Sequence, residues 1–513
     1  MNDQFSYDAL PYPSFTFAQT HPDRLATMAT FYGMEPADPE KCRVLELGCG
    51  DGANLLAMAY VLPGSEFVGL DLSDVHINDA KNTSSQLGIK NASFLKEDVT
   101  DFDAERFGTF DYIIAHGLFS WVPDFVRSKI LEVYGKCLAP NGVGYISYNA
   151  YPGCRIREIL WGMMQFHTRA ENDPRTKVKE GVEFIGELAD TVEADSLYET
   201  LLDLELEAME DRSVSNIYHD DLSACNQPFY FYQFVDRIED HGFQYLSESD
   251  AASMNPEKLS KAGRELLKRF GDDLIRREQY LDFVQCRRFR STLFCRSEVA
   301  LDRDPEPAII EKFYIASNVK AQPTNAAVNS DGPQKFLGSN EASLEINHPL
   351  TKATLTYLGS VWARSVSFDE LLEESSNLLG RDRVDLNNAE IKQTSAYLIR
   401  LFQAGFVKLH RFRPNFAGTA GDLPKTSDFA RWQIARGSES VTTLTGLNLK
   451  PEFDAVRLLI SLSDGTRDRK ALAEAMLERL DVPVNEKQSL REQLPELIES
   501  NLQKMVESGL LIP

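Results

Sequence analysis

With 513 residues, 43% of them hydrophobic, the chain has the length of about three domains, because single cores stop growing near 250–300 residues. A formal charge of −24 argues against a nucleic-acid partner, whose phosphates demand clustered bases, and suits either a basic, lysine-bearing partner or solubility alone. No apolar run reaches about 18 residues and no basic, apolar leader opens the chain, which argues against membrane insertion; seven cysteines without a C-x-x-C pair read as reduced thiols of a cytoplasmic protein.

The first 30 residues are aromatic and stiffened by proline. Pro11 and Pro13 keep Tyr12 extended, and Thr20 with Pro22 caps and opens a helix over Asp23 to Tyr32. Such an arm suits a lid over a cleft, with Tyr7, Tyr12 and His21 as candidate contacts, or a clasp packed on the outside.

From Arg43 the chain reads strand, glycine turn, helix: Val44 to Leu47 is apolar, Gly48, Gly50 and Gly52 follow two apart, and Asn54 to Val61 is helix-competent. Glycines let the turn tighten and bring a ligand edge onto the main chain. Three strand ends carry carboxylates, Glu46, Asp71 and Asp98, and in an open parallel sheet they converge on the crevice where strand order reverses. By role, Asp71 would accept from both ribose hydroxyls, Asp98 from an adenine amino group, and Glu46 would hold the turn or meet a cationic group. Gly48-x-Gly50-x-x-Ala53 with Asp71 about 20 residues on also fits a dinucleotide fingerprint. The acid two residues before Gly48 favours another nucleoside cofactor: Glu46 to Gly52 resembles the first motif, E/D-x-G-x-G-x-G, of class I S-adenosylmethionine-dependent methyltransferases. That resemblance implies S-adenosyl-L-methionine held by Glu46, Gly48, Cys49, Gly50, Asn54, Asp71, Leu72, Asp98, Val99 and His116.

Strands are expected near 43–48, 66–71, 92–98, 110–116 and 142–149, with helices near 54–62, 74–87 and 125–138. This alternation predicts a parallel, doubly wound (Rossmann-like) α/β sheet. The fourth strand ends in His116-Gly117-Leu118-Phe119-Ser120-Trp121-Val122-Pro123, the loop that class I methyltransferases set beside the transferable methyl. The loop lacks the Asn/Asp-Pro-Pro-Tyr/Phe of amino-group DNA methylation, the Pro-Cys of cytosine methylation, and the carboxylate cluster of a metal-dependent O-methyltransferase. What remains is in-line transfer to nitrogen or oxygen by positioning, which brings the nucleophile to about 3–3.5 Å from the methyl. A lysine acceptor must lose a proton, and a desolvated aromatic channel suits it. Tyr7, His116, Trp121 and Tyr148 are the catalytic candidates, with Asn149 and Tyr151 nearby. Each has a plain structural alternative: packing for Trp121, a backbone hydrogen bond for His116, burial in the sheet for Tyr148.

After Gly153 helices are expected over Ile156 to Thr168 and Val182 to Leu206, the second strongly acidic toward its end, then a helix led by Pro228-Phe229-Tyr230 and late strands at Phe243 to Ser247 and Phe289 to Cys295. Arg276, Arg277, Arg287, Arg288, Arg290 and Arg296 read as a solvated helix and exposed strand face or as a groove for an acidic partner. His219, Cys225 and His241 lack zinc-ligand spacing, and no metal is expected. Together with Gln19 to Ala26, Ala115-His116-Gly117, Ser147-Tyr148-Asn149 and Ile217-Tyr218-His219-Asp220, the chain resembles methyltransferases with a methyltransferase regulatory domain, among them rickettsial lysine methyltransferases of outer-membrane proteins. The resemblance implies a protein substrate.

Beyond a polar stretch at 317–341 the chain repeats. Tyr397 to Val407 and Leu502 to Leu511 each read as a helix ending in a small residue, glycine and an apolar pair, and each follows a helix–turn–helix-like stretch. Both look like winged-helix α+β modules, and Lys392 and Arg400 are too few bases on the would-be recognition helix for DNA; docking of a protein substrate, or homodimer formation, fits better. The division expected is an arm (1–30), a cofactor-binding core (31–159), a helical insertion and regulatory-type region with the late strands (160–316), a linker (317–341) and two winged-helix-like modules (342–413 and 414–513). The resemblance implies a cytoplasmic enzyme that methylates lysine side chains of a protein, with small-molecule N- or O-methylation as the alternative and a non-catalytic cofactor-binding scaffold as a third reading that the intact motif disfavours.

Overall fold

A computed structural model describes residues 10, 12, 15–323, 328, 332–338, 342–480, 483 and 487–513. Its centre is a seven-stranded sheet made of β1 (Arg43–Leu47), β2 (Glu66–Asp71), β3 (Ala92–Lys96), β4 (Phe110–Ala115), β5 (Leu138–Asn149), β6 (Phe243–Glu248) and β7 (Phe289–Arg296), in the order β3-β2-β1-β4-β5-β7-β6. The first five strands run parallel, and β7 is antiparallel to both β5 and β6. Strand order reverses between β1 and β4, so the crevice expected of an open α/β sheet lies at their carboxyl ends. Around the sheet run α1 (Pro22–Phe31), α2 (Ala53–Val61), α3 (Asp74–Leu87) and α4 (Asp124–Cys137). Side chains alternate between its faces: Val44, Tyr112 and Tyr145 join one apolar cluster, while Leu45, Ile113, Ile146 and Tyr148 join the other.

Between β5 and β6 the chain inserts α5 (Cys154–His167), α6 (Pro174–Ala189), α7 (Leu197–Glu210) and α8 (Val214–Asp221), then returns through α9 (Phe231–Glu239). The single helix expected over Val182 to Leu206 is two helices. Asp195 takes a left-handed φ of 59°, and the Ser196 side chain accepts the Glu199 amide to cap a fresh helix; apolar spacing runs through the break and hides it. After β6 come α10 (Lys261–Lys268) and α11 (Leu274–Gln285), which lead into β7.

The arginine cluster divides: Arg276 and Arg277 are exposed on α11, as a solvated helix would have them, whereas the arginines toward and along β7 are tied to acids and carbonyls. Arg290 is fully buried, bonded to Glu248 (2.6 Å), Asp282 (2.8 and 2.9 Å) and Glu278, and its guanidinium lies 3.9 Å over the Phe231 ring. Arg287 pairs with Asp282 at 2.8 Å and Arg288 with Glu205 at 2.5 Å. Arg296 donates to the carbonyls of Gly135 and Leu138. Period-2 alternation alone places the 290 side chain on a face that α11 covers.

The C-terminal part confirms the repeat and extends it. β8 (Tyr314–Ala316) lies between β12 (Val366–Ser367) and β13 (Lys408–His410), antiparallel to both, and packs with α12 (Pro349–Ser360), α13 (Phe368–Leu378) and α14 (Asn388–Ala404). In the second unit Lys425 bridges Asp464 and Thr426 bridges Leu511, with α16 (Asp454–Leu462), α17 (Arg469–Arg479) and α18 (Lys487–Glu507) arranged in the same sequence. Thus each unit takes its central strand from upstream: β8 precedes 342–413, outside the expected boundary. The expected linker carries β9 (Lys320–Gln322) and β10 (Gln334–Leu337), paired with β11 (Ser343–Ile346) as a third sheet. Within the second unit, between Thr426 and α16, stand α15 (Asp428–Ala435) and the hairpin of β14 (Val441–Thr442) and β15 (Asn448–Leu449), with Ala430 and Val441 in the unit's own core. Among the described residues no helix is long and apolar enough to cross a membrane.

Candidate active site

The β1–α2 turn is built from glycines at positive φ: Gly48 at 73°, Gly50 at 54° and Gly52 at 76°. Space as well as φ restricts Gly52, where a Cβ would stand 2.6 Å from Phe94; over Gly50 nothing lies within 4 Å. A ligand edge therefore has open access to the main chain at Gly50. The Gly48 and Cys49 amides both donate to the Leu70 carbonyl (2.8 and 3.0 Å), and the Gly50 amide donates to Asp71 Oδ2 at 2.9 Å. Cys49 is buried beneath the turn, its Sγ close to Gly69.

Asp71 also accepts the Ser73 amide at 2.9 Å through Oδ1. Burial opposes its ionisation, but hydrogen bonds from His76 and the Ser73 and Gly50 amides outweigh this and hold its pKa below the ordinary value. A carboxylate has about four lone-pair sites, so these bonds leave acceptor capacity toward the crevice. Leu72 beside it is 39% exposed, an apolar surface at a strand end. Asp98 caps the turn Val99–Asp101 through Oδ1, which takes the Thr100 amide and hydroxyl at 2.8 Å each.

Glu46 is buried. Its Oε1 accepts from Asn54 Nδ2 at 2.8 Å, while Oε2 has no hydrogen-bond partner. Burial pushes this carboxyl up to about 8. An orphaned, buried carboxylate oxygen at the mouth of the turn fits the ammonium of an aminoacyl tail, and with the carboxylates of Asp71 and Asp98 the donor and acceptor set suits S-adenosyl-L-methionine.

The arm reaches this turn. Asn54 Oδ1 accepts the Phe17 amide at 2.9 Å, and its Nδ2 donates to Thr20 Oγ1 at 3.0 Å. The Phe17 ring stacks on His116 with centroids 3.8 Å apart. His116 Nδ1 lies 2.9 Å from the Tyr145 hydroxyl, which donates to Ser291 Oγ at 3.0 Å. This order of donors makes Nδ1 the donor to Tyr145 and leaves Nε2 a lone pair. Burial pushes His116 down to about 3, so the imidazole is neutral. With its one proton on Nδ1 it accepts a hydrogen bond at Nε2 and takes up no second proton near neutrality. Gly117 donates its amide to Ser147 Oγ at 2.8 Å, and Trp121, half-buried, closes the turn Phe119–Trp121 in the same loop.

Tyr148 does not join this group. Its ring is fully buried, stacked on Phe234 at 4.3 Å, with its hydroxyl 3.3 Å from Thr292; alternation along β5 turns it to the face opposite Tyr145, so the catalytic expectation for it is withdrawn. Asn149 and Tyr151 are spent on structure, Asn149 Nδ2 donating to Asn226 at 2.8 Å and the Tyr151 hydroxyl to Glu158 at 2.5 Å. Tyr7 lies outside the described residues. Tyr12 packs 5.8 Å from the His219 ring, and His21 caps α1 by accepting the Asp23 amide; neither reaches His116 through any contact described. His219 and His241 engage the carbonyls of Leu10 and Arg237. Phe17, Tyr145, Ser147 and Ser291 were missed. The alternation that removes Tyr148 is the signal that finds Tyr145 and Ser147.

Three family models match the chain: "Methyltransferase domain" over residues 38–195, "Predicted methyltransferase regulatory domain" over 213–296, and "PKMT, C-terminal winged helix domain" over 422–510. Uncharacterized protein RP789 of Rickettsia prowazekii is 30% identical over 534 aligned residues, covering 99% of this chain and 94% of that protein. A second protein of that organism, RP028, is 36% identical over 48% of this chain and 98% of its own length. The structure of PKMT2 from Rickettsia typhi in complex with AdoHcy is 28% identical, with a TM-score of 0.86 and coverage of 98% of this chain and 100% of that one. The chain belongs to the family of S-adenosyl-L-methionine-dependent methyltransferases that join a class I methyltransferase domain to a methyltransferase regulatory domain and a PKMT-type C-terminal winged helix.

Proposed function

We propose that this enzyme methylates lysine side chains of a protein substrate. The observation that carries the reading is likeness along the whole chain to PKMT2, at 28% identity and a TM-score of 0.86, which includes the modules outside the cofactor domain. A small-molecule enzyme has no evident use for those modules. When bound, S-adenosyl-L-methionine supplies an electrophilic methyl on a sulfonium. In this reading Asp71 holds the ribose hydroxyls, Leu72 and Val99 flank the adenine, Asp98 takes its amino group and Glu46 the ammonium. Neutral His116 stands with Trp121 at the acceptor side, where orientation of the amine lone pair lowers the barrier without covalent catalysis. The acidic insertion, with Glu193, Asp195, Glu199, Asp203 and Glu207 on or beside α7, supports a basic partner over nucleic acid. Seven unbridged cysteines accord with a cytoplasmic site of action. The winged-helix units serve substrate docking or homodimer contact, and we start the first of them at β8.

Incubation with methyl-labelled S-adenosyl-L-methionine and host-cell protein fractions, beside a small-molecule extract, tests the proposal. Label recovered as methyl-lysine after acid hydrolysis supports it; label confined to small molecules overturns it.

A further inference from the structure

A cavity of about 360 Å³ is lined by Ala18, Arg24, Glu248, Asp250, Phe289 and Ser291 among others, and Phe289 brings it next to His116. We propose that it receives the lysine side chain, so this inference rests on the lysine reading above. Its place in the fold is the first reason. Glu248 ends β6 and Phe289 begins β7, and because β7 runs antiparallel to β5, with Phe289 opposite Asn149, both residues lie on the carboxyl rim that also carries Glu46, Asp71 and His116.

The second reason is contact. Phe289 stands edge-on to His116, centroids 6.1 Å apart, and Ser291 holds Tyr145, which holds His116. Ala18 adjoins Phe17, whose ring lies tilted against His116, so the arm and Phe289 border both the cavity and His116. In this proposal a side chain entering the cavity passes Phe289 to reach His116.

Chemistry is the third. Phe289 is 39% exposed and offers an apolar wall to four methylenes. Two of the four charges are consumed beneath the floor: Glu248 takes Arg290, Thr292 and the Ser291 amide (2.6, 2.8 and 2.9 Å), and Arg287 pairs with Asp282 at 2.8 Å. Of the remaining two, Arg24 is half-buried at the arm side, while Asp250 is exposed, its Oδ1 taking only the Ala252 amide at 3.1 Å among the described contacts, and Asp250 attracts an incoming ammonium. The ammonium releases its proton to water; the nitrogen lone pair then forms the N–C bond to the methyl carbon while the C–S bond breaks and its electron pair stays on sulfur. The amine N–H donates to His116 Nε2, which orients the attack.

The test uses the full chain, with Asp250→Ala to remove the cation attraction and Ser253→Trp to fill the cavity, both at residues outside the cofactor turn. Affinity for S-adenosylhomocysteine, by calorimetry, should stay within about twofold of the parent, which also reports folding. Methyl-lysine formed on host-cell protein extract should fall at least tenfold for Ser253→Trp, and Asp250→Ala should raise the half-saturating extract concentration several-fold. Parent-like methyl-lysine formation by Ser253→Trp would overturn the pocket while leaving the lysine reading intact. No methyl-lysine with the parent would overturn both.

Discussion

Asn54 donates to Glu46 Oε1 across 2.8 Å while its own carbonyl oxygen accepts the Phe17 amide, so the buried carboxyl proposed to meet the cofactor's ammonium and the N-terminal arm share one side chain. Burial raises the Glu46 carboxyl to about 8, so near neutrality the free protein holds a proton there. An ammonium bound against Oε2 favours the carboxylate, and binding expels that proton. Affinity for S-adenosyl-L-methionine should therefore rise with pH between about 6 and 8, by up to about tenfold per unit, and flatten above. Glu46→Gln should bind more weakly and show no such slope. Stability of the free protein runs the other way: the folded state keeps the proton longer than the unfolded one, so stability falls as pH rises from the ordinary carboxyl range toward about 8. Titration calorimetry in buffers of different ionisation enthalpy counts the proton, and zero release would refute the pairing.

Asp71 holds the turn through two amides, and in the proposed function it also holds the ribose. Asp71→Ala removes acceptors from the Gly50 and Ser73 amides, which should cost about 1–3 kcal/mol of stability and eliminate measurable cofactor binding in a folded protein. Asp71→Asn keeps one acceptor oxygen and should retain weakened binding. Cofactor affinity unchanged in the alanine variant would show that the ribose lies elsewhere.

The Tyr145 hydroxyl is the partner of His116 Nδ1. Tyr145→Phe frees the imidazole to turn and to change tautomer. Single-turnover methyl transfer should slow roughly tenfold, as small misplacements at a reacting centre do, with S-adenosylhomocysteine affinity unchanged. Equal losses in both would mean that Tyr145 supports the cofactor pocket as a whole.

The sheet, the turn and its acids were legible because they obey local rules: continuous apolar strands, glycines at fixed spacing, acids at strand ends. The β4 loop was legible to the residue at His116. Tyr148 against Tyr145 was decided by which face of β5 a side chain takes, a parity that one bulge can invert and that only the β4 and β7 registers fix. Nothing local announces that Phe17, 99 residues before His116 in sequence, stacks on it, nor that β8 crosses an apparent boundary to complete a later sheet. Arg290 looked exposed because its compensating acids come from β6 and α11.

That buried arginine carries a stability prediction. Glu248, Glu278 and Asp282 surround it, and burial already pushes Glu278 and Asp282 upward. Arg290→Leu leaves carboxyls in the core without their cation, which should destabilise by about 3–5 kcal/mol. Arg290→Lys keeps the charge but loses the forked donors and should fall between. Urea midpoints measure both; a leucine variant as stable as the parent would mean that the carboxyls take up protons without cost.

The C-terminal winged-helix module also reaches the arm beside the glycine turn, through two residues. The Thr16 hydroxyl lies 2.9 Å from Asn448 Oδ1 and 3.0 Å from the Gly446 carbonyl, and Asn448 Nδ2 donates to the Thr16 carbonyl at 2.6 Å. Thr16 precedes Phe17, so the β14–β15 hairpin fixes the residue that leads into the His116 stack. The hairpin is held to α15, whose Gln433 side chain bonds the Thr442 amide and hydroxyl, and α15 is seated on the catalytic domain, because Trp432 donates to Gln86 at 2.8 Å and Tyr60 accepts the Asp428 amide. Asn448→Ala removes three hydrogen bonds to Thr16 of the half-buried arm, each worth about 0.5–1.5 kcal/mol, without touching a proposed cofactor contact. Dissociation of S-adenosylhomocysteine should quicken several-fold and its affinity drop in proportion, while the urea midpoint barely moves. Stopped-flow displacement separates the cases: a faster off-rate at constant on-rate assigns the hairpin to holding the arm closed, whereas unchanged kinetics would leave the module with no part in cofactor binding.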